Sequence, residues 1–288
     1  MNRIWRVKVP YPEQSLSLAN SLNISPIMGQ ILLNRGIKDE MQAQHFLYGD
    51  MDSCHDPYLL KDMEKAVARI KRAISGKERI LVYGDYDVDG ITSVALLTRL
   101  LVSMGGNAGS YIPNRLEEGY GLNSDAVKLA HRKKNSLLIT VDCGISAHEE
   151  IKLAGKLGID VIITDHHEIK SEKLPPSYAI INPLQEDCKY PFKHLSGVGL
   201  AYKLAQALSD GAGSGQEHLD LVALGTVSDL SVQSGENRIL TKCGLKRLTN
   251  TSKEGIKALI SVSGLAGKDV SCSHIGYILG PRINAMGR

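Results

Sequence analysis

The sequence predicts an α/β fold in which a mainly parallel sheet is sandwiched between helices. From Glu78 onward, short apolar runs typical of buried strands alternate with segments of helical periodicity. The chain has 288 residues, 43% of them hydrophobic, which is enough to bury one large core and a smaller appendage. Several strand-like runs end in acidic residues or histidines. Because right-handed crossovers gather the carboxyl ends of parallel strands at one edge, we expect the functional groups to meet there.

A helical N-terminal segment, residues 1–75, is predicted to pack on this core. Residues 15–48 have helical character, and Gly36 lies where a C-cap is expected. In the amphipathic segment 61–74, apolar side chains recur on one helical face: Met63, Ala66, Val67 and Ile70. We interpret this opening as scaffold.

The core, residues 76–235, is predicted to alternate between strands and helices. Strands are expected at 80–83, 107–112, 137–141 and 161–164 and within 178–183, with helices through Leu101, at 123–132 and at 148–157. Such an alternation is typical of a sheet that helices cover on both faces. Residues 236–288 are predicted to form a helical extension.

Three aspartates follow the first predicted strand. Asp85, Asp87 and Asp89 occupy alternate positions, so an extended backbone would direct all three carboxylates to the same side. Gly90 then permits a tight turn into the following helix. Three crowded carboxylates repel one another unless protons or a cation offset the repulsion, and oxygen ligands suit Mg²⁺ or Mn²⁺. A solvated acidic loop is the alternative, but the strand-end position favours metal binding.

Two later strands also end in polar groups. Asp142 follows the strand at 137–141, and it is either a site residue or a cap of the next helix. Asp165, His166 and His167 follow the strand at 161–164. Adjacent histidines beside carboxylates are an unusual way to fill a core, whereas one imidazole can bind a divalent ion while its neighbour orients it or meets the substrate.

The segments YGDYDVDG, VDCG and TDHHE resemble successive motifs of the DHH phosphoesterase family. The resemblance continues through LVALGTVSDL and GPRINAMGR, so it covers nearly the whole chain. It implies a set of metal ligands: Asp87, Asp89, Asp142, His166 and Asp229. It further implies that Asp142 bridges two ions. Asp85 fills the remaining acidic position of the first motif, while Tyr83 stands where many relatives have a histidine ligand.

Two further segments are candidates for substrate contacts. Ser196, Gly197 and Gly199 precede a predicted helix, whose free N–H groups would hold a phosphate; a plain serine N-cap is the equally weighted alternative. The family resemblance makes Arg282 and Asn284 contacts to the DNA backbone, and an arginine fork matches phosphate oxygens. His167 is expected to meet the substrate and to take part in catalysis.

The resemblance implies a two-metal exonuclease that degrades single-stranded DNA from 5′ to 3′ in repair and recombination, with two Mn²⁺ or Mg²⁺ ions as cofactors. The sequence contains neither a G-x-S-x-G elbow nor a Walker-type loop, which agrees with attack by water. Relatives of this kind continue into a second domain, so we expect this chain to be a catalytic core. The alternatives are a phosphoesterase for short oligonucleotides, cyclic dinucleotides or polyphosphate, and a scaffold without activity.

Composition sets broad limits on the setting of the chain. The net charge of +3 neither requires nor excludes a nucleic-acid partner. The five cysteines include no C-x-x-C pair, which argues against a disulfide framework or a zinc cage. The N-terminus lacks the apolar core of a signal peptide, and no run is long enough to span a membrane. We expect a cytoplasmic monomer that binds single-stranded DNA and works beside a single-strand-binding protein and a helicase.

Overall fold

The computed structural model describes residues 11–171, 173–209 and 215–286. Its backbone forms two compact units, residues 1–53 and residues 54–288. The sequence predicts residues 54–75 as part of the N-terminal segment, whereas in the structure they belong to the larger unit. None of the helices in the described ranges is long and apolar enough to cross a membrane.

The smaller unit is helical, as predicted. Its helices are α1 (Pro12–Leu22), α2 (Pro26–Asn34) and α3 (Glu40–Tyr48). Ser25 and Asp39 cap α2 and α3, since their side chains accept hydrogen bonds from the backbone N–H groups of Met28 and Gln42. Leu18, Leu32 and Ala43 form its buried centre.

The larger unit contains a five-stranded sheet in which every pairing is parallel. The strands are β1 (Arg79–Gly84), β2 (Asn107–Tyr111), β3 (Asn135–Val141), β4 (Asp160–Thr164) and β5 (Ala179–Ile181), and they lie in the order β2-β1-β3-β4-β5. This confirms the predicted parallel sheet. The chain first steps outward from β1 to β2 and then returns past β1 to β3. The order therefore reverses between β1 and β3, which is where open α/β sheets form their crevice.

Helices cover both faces of this sheet. The α-helices of the larger unit are α4 (Met63–Ser75), α5 (Val88–Ser103), α6 (Ser124–Arg132), α7 (His148–Lys156), α8 (Gly197–Leu208), α9 (Leu219–Ser228), α10 (Gly235–Thr249), α11 (Glu254–Val262), α12 (Cys272–His274) and α13 (Gly280–Ala285); a π-helical turn, Ile275–Leu279, precedes α13. Helices α6 and α7 pack on the face that carries Leu81, Leu138 and Val161. Helices α5 and α8 contact each other and cover the opposite face together with α4, and α9 packs on α5 and α8.

A buried ion pair ties the helices of the larger unit together. Lys203 Nζ on α8 lies 2.6 Å from Glu236 Oε1 on α10, and both side chains are almost fully excluded from solvent. The same ammonium donates to the backbone oxygen of His55, and Glu236 accepts from the His55 N–H and from the Tyr190 hydroxyl. The pair is thus hydrogen-bonded on both sides, as a buried charge requires.

Candidate metal centre

The first acidic motif bends into a helix earlier than predicted. Strand β1 ends at Gly84 and α5 begins at Val88, so Asp85, Asp87 and Asp89 do not share an extended segment. The predicted common direction of the three carboxylates is wrong, because Asp87 is the N-cap of α5 and accepts from the N–H of Gly90 at 3.0 Å. Gly90 lies inside the helix, where an added Cβ would come within 2.4 Å of the Asp85 carbonyl oxygen.

The carboxylate of Asp89 is buried against the start of α8. It accepts hydrogen bonds from the backbone N–H groups of Gly197 at 2.7 Å and Val198 at 2.8 Å. The structure thereby contradicts the predicted phosphate site at Ser196, Gly197 and Gly199, because Asp89 already occupies that helix N-terminus. Ser196 is a plain N-cap: its buried hydroxyl accepts from the N–H of Gly199 and pairs with the Thr226 hydroxyl.

Asp142 faces the same space from the end of β3. Its backbone has φ = 58°, a left-handed conformation that is uncommon for non-glycine residues. It does not cap α7, which begins only at His148. Its Oδ1 atom instead lies 3.1 Å from His166 Nε2. The crevice between β1 and β3 therefore brings Asp89 and Asp142 together with His166, as the strand-end argument predicted.

His166 stands between two groups of possible metal ligands. In each group the ligand atoms lie within 4.8 Å of one another; the groups are Asp142, His166 and His167, and Asp89, His166 and Asp229. Asp229 comes from the C-cap of α9 and is half-buried. Burial lowers the pKa of His166, which favours the neutral imidazole that a metal ion requires.

Several atoms at this centre lack a partner that would stabilise them. Buried atoms without a hydrogen bond include Asp142 Oδ1, His166 Nε2 and Asp85 Oδ1. Burial and the charge of Asp229 raise the pKa of Asp89 to about 8, and burial and the charge of Asp89 raise the pKa of Asp142. Buried acceptors that face one another are costly unless a cation or protons lie between them. The donor set thus fits a divalent metal ion.

Asp85 and Tyr83 lie beside these two groups and not within them. Burial raises the pKa of Asp85 to about 6. Tyr83 is fully buried and donates its hydroxyl to the Gly121 carbonyl oxygen at 2.8 Å. Its hydroxyl is therefore directed at the loop that precedes α6.

His167 is held from both sides of its ring. Asp165 Oδ1 lies 2.7 Å from Nδ1, and the Tyr120 hydroxyl lies 3.2 Å from Nε2. The hydrogen bond that His167 donates to Asp165 raises the pKa of His167, and the same bond keeps the pKa of Asp165 low despite its burial. His167 is thus a partly exposed imidazole with a fixed orientation next to His166.

Asn284 reaches the acidic motif from α13, and Arg282 lies two residues earlier on the same helix. Asn284 Oδ1 accepts a hydrogen bond from the backbone N–H of Val88 at 3.2 Å. Val88 is the first residue of α5, so Asn284 contacts the acidic motif directly. The exposed guanidinium of Arg282 donates to the Ile278 carbonyl oxygen one turn earlier. The contacts of these two side chains with DNA stay a prediction.

Sequence reasoning missed the residues that hold the centre together. Asp165 was seen only as part of the histidine motif, although it binds both His167 and the backbone N–H of Ile145. Tyr120, which contacts His167, was missed altogether. It lies between Gly119 and Gly121, both with positive φ, and an aromatic residue between two glycines was the sequence feature that could have indicated it.

Comparison with known proteins identifies the family. Residues 79–226 match the model of the DHH family, N-terminal domain. The chain belongs to the DHH family. Among its relatives, the single-stranded-DNA-specific exonuclease RecJ of Bacillus subtilis (strain 168) is 43% identical over 284 residues, which cover 99% of this DHH chain and 36% of that protein. RecJ of Escherichia coli (strain K12) is 38% identical over 281 residues, covering 92% of this chain and 48% of that protein.

Solved structures resemble the DHH chain as well. A crystal structure of RecJ from Thermus thermophilus in complex with Mn²⁺ superposes with a TM-score of 0.79 at 29% identity, over 97% of this chain and 39% of that one. A crystal structure of exonuclease RecJ bound to manganese gives a TM-score of 0.71 at 37% identity, over 79% of this chain and 58% of that one. The predicted family and fold class are confirmed. The DHH chain spans about a third to a half of the curated relatives named above.

Proposed function

We propose that this chain hydrolyses phosphodiester bonds with the help of divalent metal ions, as a 5′-to-3′ exonuclease on single-stranded DNA in repair and recombination. The observation that carries the proposal is the meeting of Asp89, Asp142 and His166 in one crevice, with buried ligand atoms that lack partners. Sequence similarity to RecJ exonucleases along nearly the whole chain supports the choice of substrate.

The proposed ligands of two Mn²⁺ or Mg²⁺ ions are Asp85, Asp87, Asp89, Asp142, His166 and Asp229. Such ions, when bound, neutralise a phosphate and lower the pKa of water so that hydroxide is available near neutral pH. Neutral His166 offers one lone pair at Nε2, so a bridge between two ions needs a carboxylate. If two ions bind, we expect Asp142 to supply this carboxylate. The N–H groups of Gly197 and Val198 fix the orientation of the Asp89 carboxylate.

The remaining catalytic and substrate-binding assignments rest on position. His167, oriented by Asp165, is proposed to donate a hydrogen bond from Nε2 to the phosphate. Arg282 and Asn284 are proposed to contact the DNA backbone. Gly197 acts through Asp89 in this proposal, since its N–H positions that ligand. Ser196 and Gly199 form the cap of α8.

A phosphoesterase for short oligonucleotides or cyclic dinucleotides uses the same chemistry and is the second candidate. The similarity over the whole chain to single-strand-specific exonucleases favours the longer substrate. We further propose that the protein acts as a cytoplasmic monomer beside a single-strand-binding protein and a helicase, because these generate and protect the strand that it would degrade.

The test compares Mn²⁺-dependent hydrolysis of a labelled single-stranded oligonucleotide with hydrolysis of a dinucleotide by the chain and by Asp142→Ala. We expect faster turnover of the oligonucleotide, release of mononucleotides from its 5′ end, and a loss of at least about 10²-fold in the variant. Asp125→Ala is the matched control, because this exposed aspartate pairs with Lys128 on α6 and belongs to neither group of candidate ligands. Undiminished hydrolysis by Asp142→Ala would refute the assigned bridge, and preference for the dinucleotide would favour the second candidate.

A further inference from the structure

The β2–α6 loop, residues 112–123, extends beside the candidate metal centre. Tyr120 on this loop contacts His167, with ring centroids 6.0 Å apart and nearly perpendicular rings. The Arg115 guanidinium lies over the ring of Tyr86, 5.0 Å from its centroid, and Tyr86 separates two of the candidate ligand positions, Asp85 and Asp87. The loop thus brings a cation and an aromatic ring to the metal centre.

The loop contains no helix or strand, so side-chain hydrogen bonds are needed to fix its conformation. One carboxylate joins both of its ends. Glu118 Oε1 accepts from the Tyr111 hydroxyl at 2.7 Å and from Asn123 Nδ2 at 3.1 Å, and Glu118 Oε2 accepts from the Asn114 N–H at 2.7 Å. Tyr111 is the last residue of β2 and Asn123 is the N-cap of α6.

The groups that Glu118 binds are themselves fixed to the sheet. The ring of Tyr111 stacks on that of Tyr83, 5.5 Å away and tilted by 10°. The Tyr83 hydroxyl donates to Gly121, the residue after Tyr120. Although burial opposes it, the hydrogen bonds from Asn114, Tyr111 and Asn123 keep the pKa of Glu118 low. The anchor is therefore an ionised carboxylate with three donors, which is the stronger kind of hydrogen bonding.

We propose that Glu118 is a positioning residue: it fixes the β2–α6 loop so that Arg115 and Tyr120 face a nucleotide at the metal centre. A guanidinium suits a phosphate, and an aromatic ring suits a base. This inference rests on the proposed function. The loop contributes substrate binding and none of the candidate metal ligands. Removal of the Glu118 anchor should therefore raise KM more than it lowers kcat, and it should leave the affinity for metal unchanged.

The test compares Glu118→Ala and Glu118→Gln with Glu117→Ala. Glu117 is the exposed neighbour on the same loop, so its removal changes the charge equally without touching the anchor. The first readout is trypsin cleavage after Arg115 without substrate, normalised to a peptide of residues 110–124 with the same substitution. Glu118→Ala should be cleaved about tenfold faster than Glu117→Ala, with Glu118→Gln between them because it keeps one acceptor oxygen.

The second readout separates this inference from the proposed function. In Mn²⁺-dependent oligonucleotide hydrolysis, Glu118→Ala should raise KM about tenfold with kcat changed less, while Mn²⁺ affinity by calorimetry and the thermal midpoint stay close to those of Glu117→Ala. Equal trypsin cleavage of the two alanine variants would overturn the anchoring role, whether or not the chain is a nuclease. A fall in kcat with KM unchanged would overturn the role in substrate positioning. Inactivity of the unsubstituted chain would instead count against the proposed function.

Discussion

Gly197 is a single residue on which two candidate ligands depend. Its N–H donates to Asp89, and a Cβ at this position would lie 2.6 Å from Asp142 Oδ1. A hydrogen atom is therefore the largest side chain that lets both carboxylates approach the start of α8. The sequence predicted a role for this glycine at a helix N-terminus, but the partner is a carboxylate of the protein.

We expect Gly197→Ala to destabilise the chain by about 1–3 kcal/mol, because the added methyl group must displace Asp142 or α8. It should also weaken Mn²⁺ binding. Gly155→Ala is the control: this exposed residue of α7 has no atom within 4 Å of an added Cβ, so the change should stabilise the chain by about 0.5–1 kcal/mol. Urea unfolding and calorimetric Mn²⁺ titration measure both effects. The idea fails if the two alanine variants have equal stability and equal Mn²⁺ affinity.

Asp142 and His166 could be predicted as site residues because both lie within two residues of the end of a recognisable apolar strand. The contact between Asp89 and Gly197 could not, since it joins the first helix of the core to one that comes several strands later. Which donors a helix N-terminus leaves free is decided by tertiary packing. For that reason the sequence could not distinguish a phosphate site from a serine cap at Ser196, and the structure shows the cap.

Among the elements, the strands and most helices follow from hydrophobic periodicity, and their predicted ends agree with the structure within a few residues. The start of α5 was the consequential error. Alternating carboxylates resembled an extended segment, whereas the bond from the Gly90 N–H to Asp87 begins the helix at Val88. Capping by one side chain thus outweighed the strand-like alternation.

The contact between α8 and α10 depends on the buried pair of Lys203 and Glu236. We expect Glu236→Leu alone to cost about 3–5 kcal/mol, because the Lys203 ammonium stays buried, hydrogen-bonded to the His55 oxygen and near the Tyr190 ring, without its carboxylate partner. The double variant Lys203→Met/Glu236→Leu should recover much of this loss, since no uncompensated charge remains. Urea unfolding of both single variants and the double variant measures the coupling. Strictly additive losses would show that the pair is not coupled.

At the scale of the whole molecule, the metal centre makes stability depend on pH. Burial raises the pKa of Asp85 to about 6, above its usual value near 4. The folded chain therefore keeps a proton that the unfolded chain releases, and without metal this site loses stability as pH rises from about 4 to 6. We expect Asp85→Asn to be more stable than the unsubstituted metal-free chain by about 2–3 kcal/mol at pH 8, with no such gain at pH 4.

Urea unfolding in chelator at pH 4, 6 and 8 measures this difference. Asp125→Asn serves as the control, because Asp125 is exposed and lies outside the centre. Saturating Mn²⁺ should reverse the advantage of Asp85→Asn, since the cation stabilises the carboxylate. A difference that is constant across this pH range would contradict the prediction.

The five-stranded order also determines when the centre can exist during folding. Its candidate ligands come from the turns after β1, β3 and β4 and from the end of α9, so they meet only when nearly all of the larger unit has assembled. A partly folded chain holds scattered carboxylates that have little affinity for a cation. Metal ions should therefore bind the native chain and not the partly folded one. They should slow unfolding and have little effect on the rate of folding.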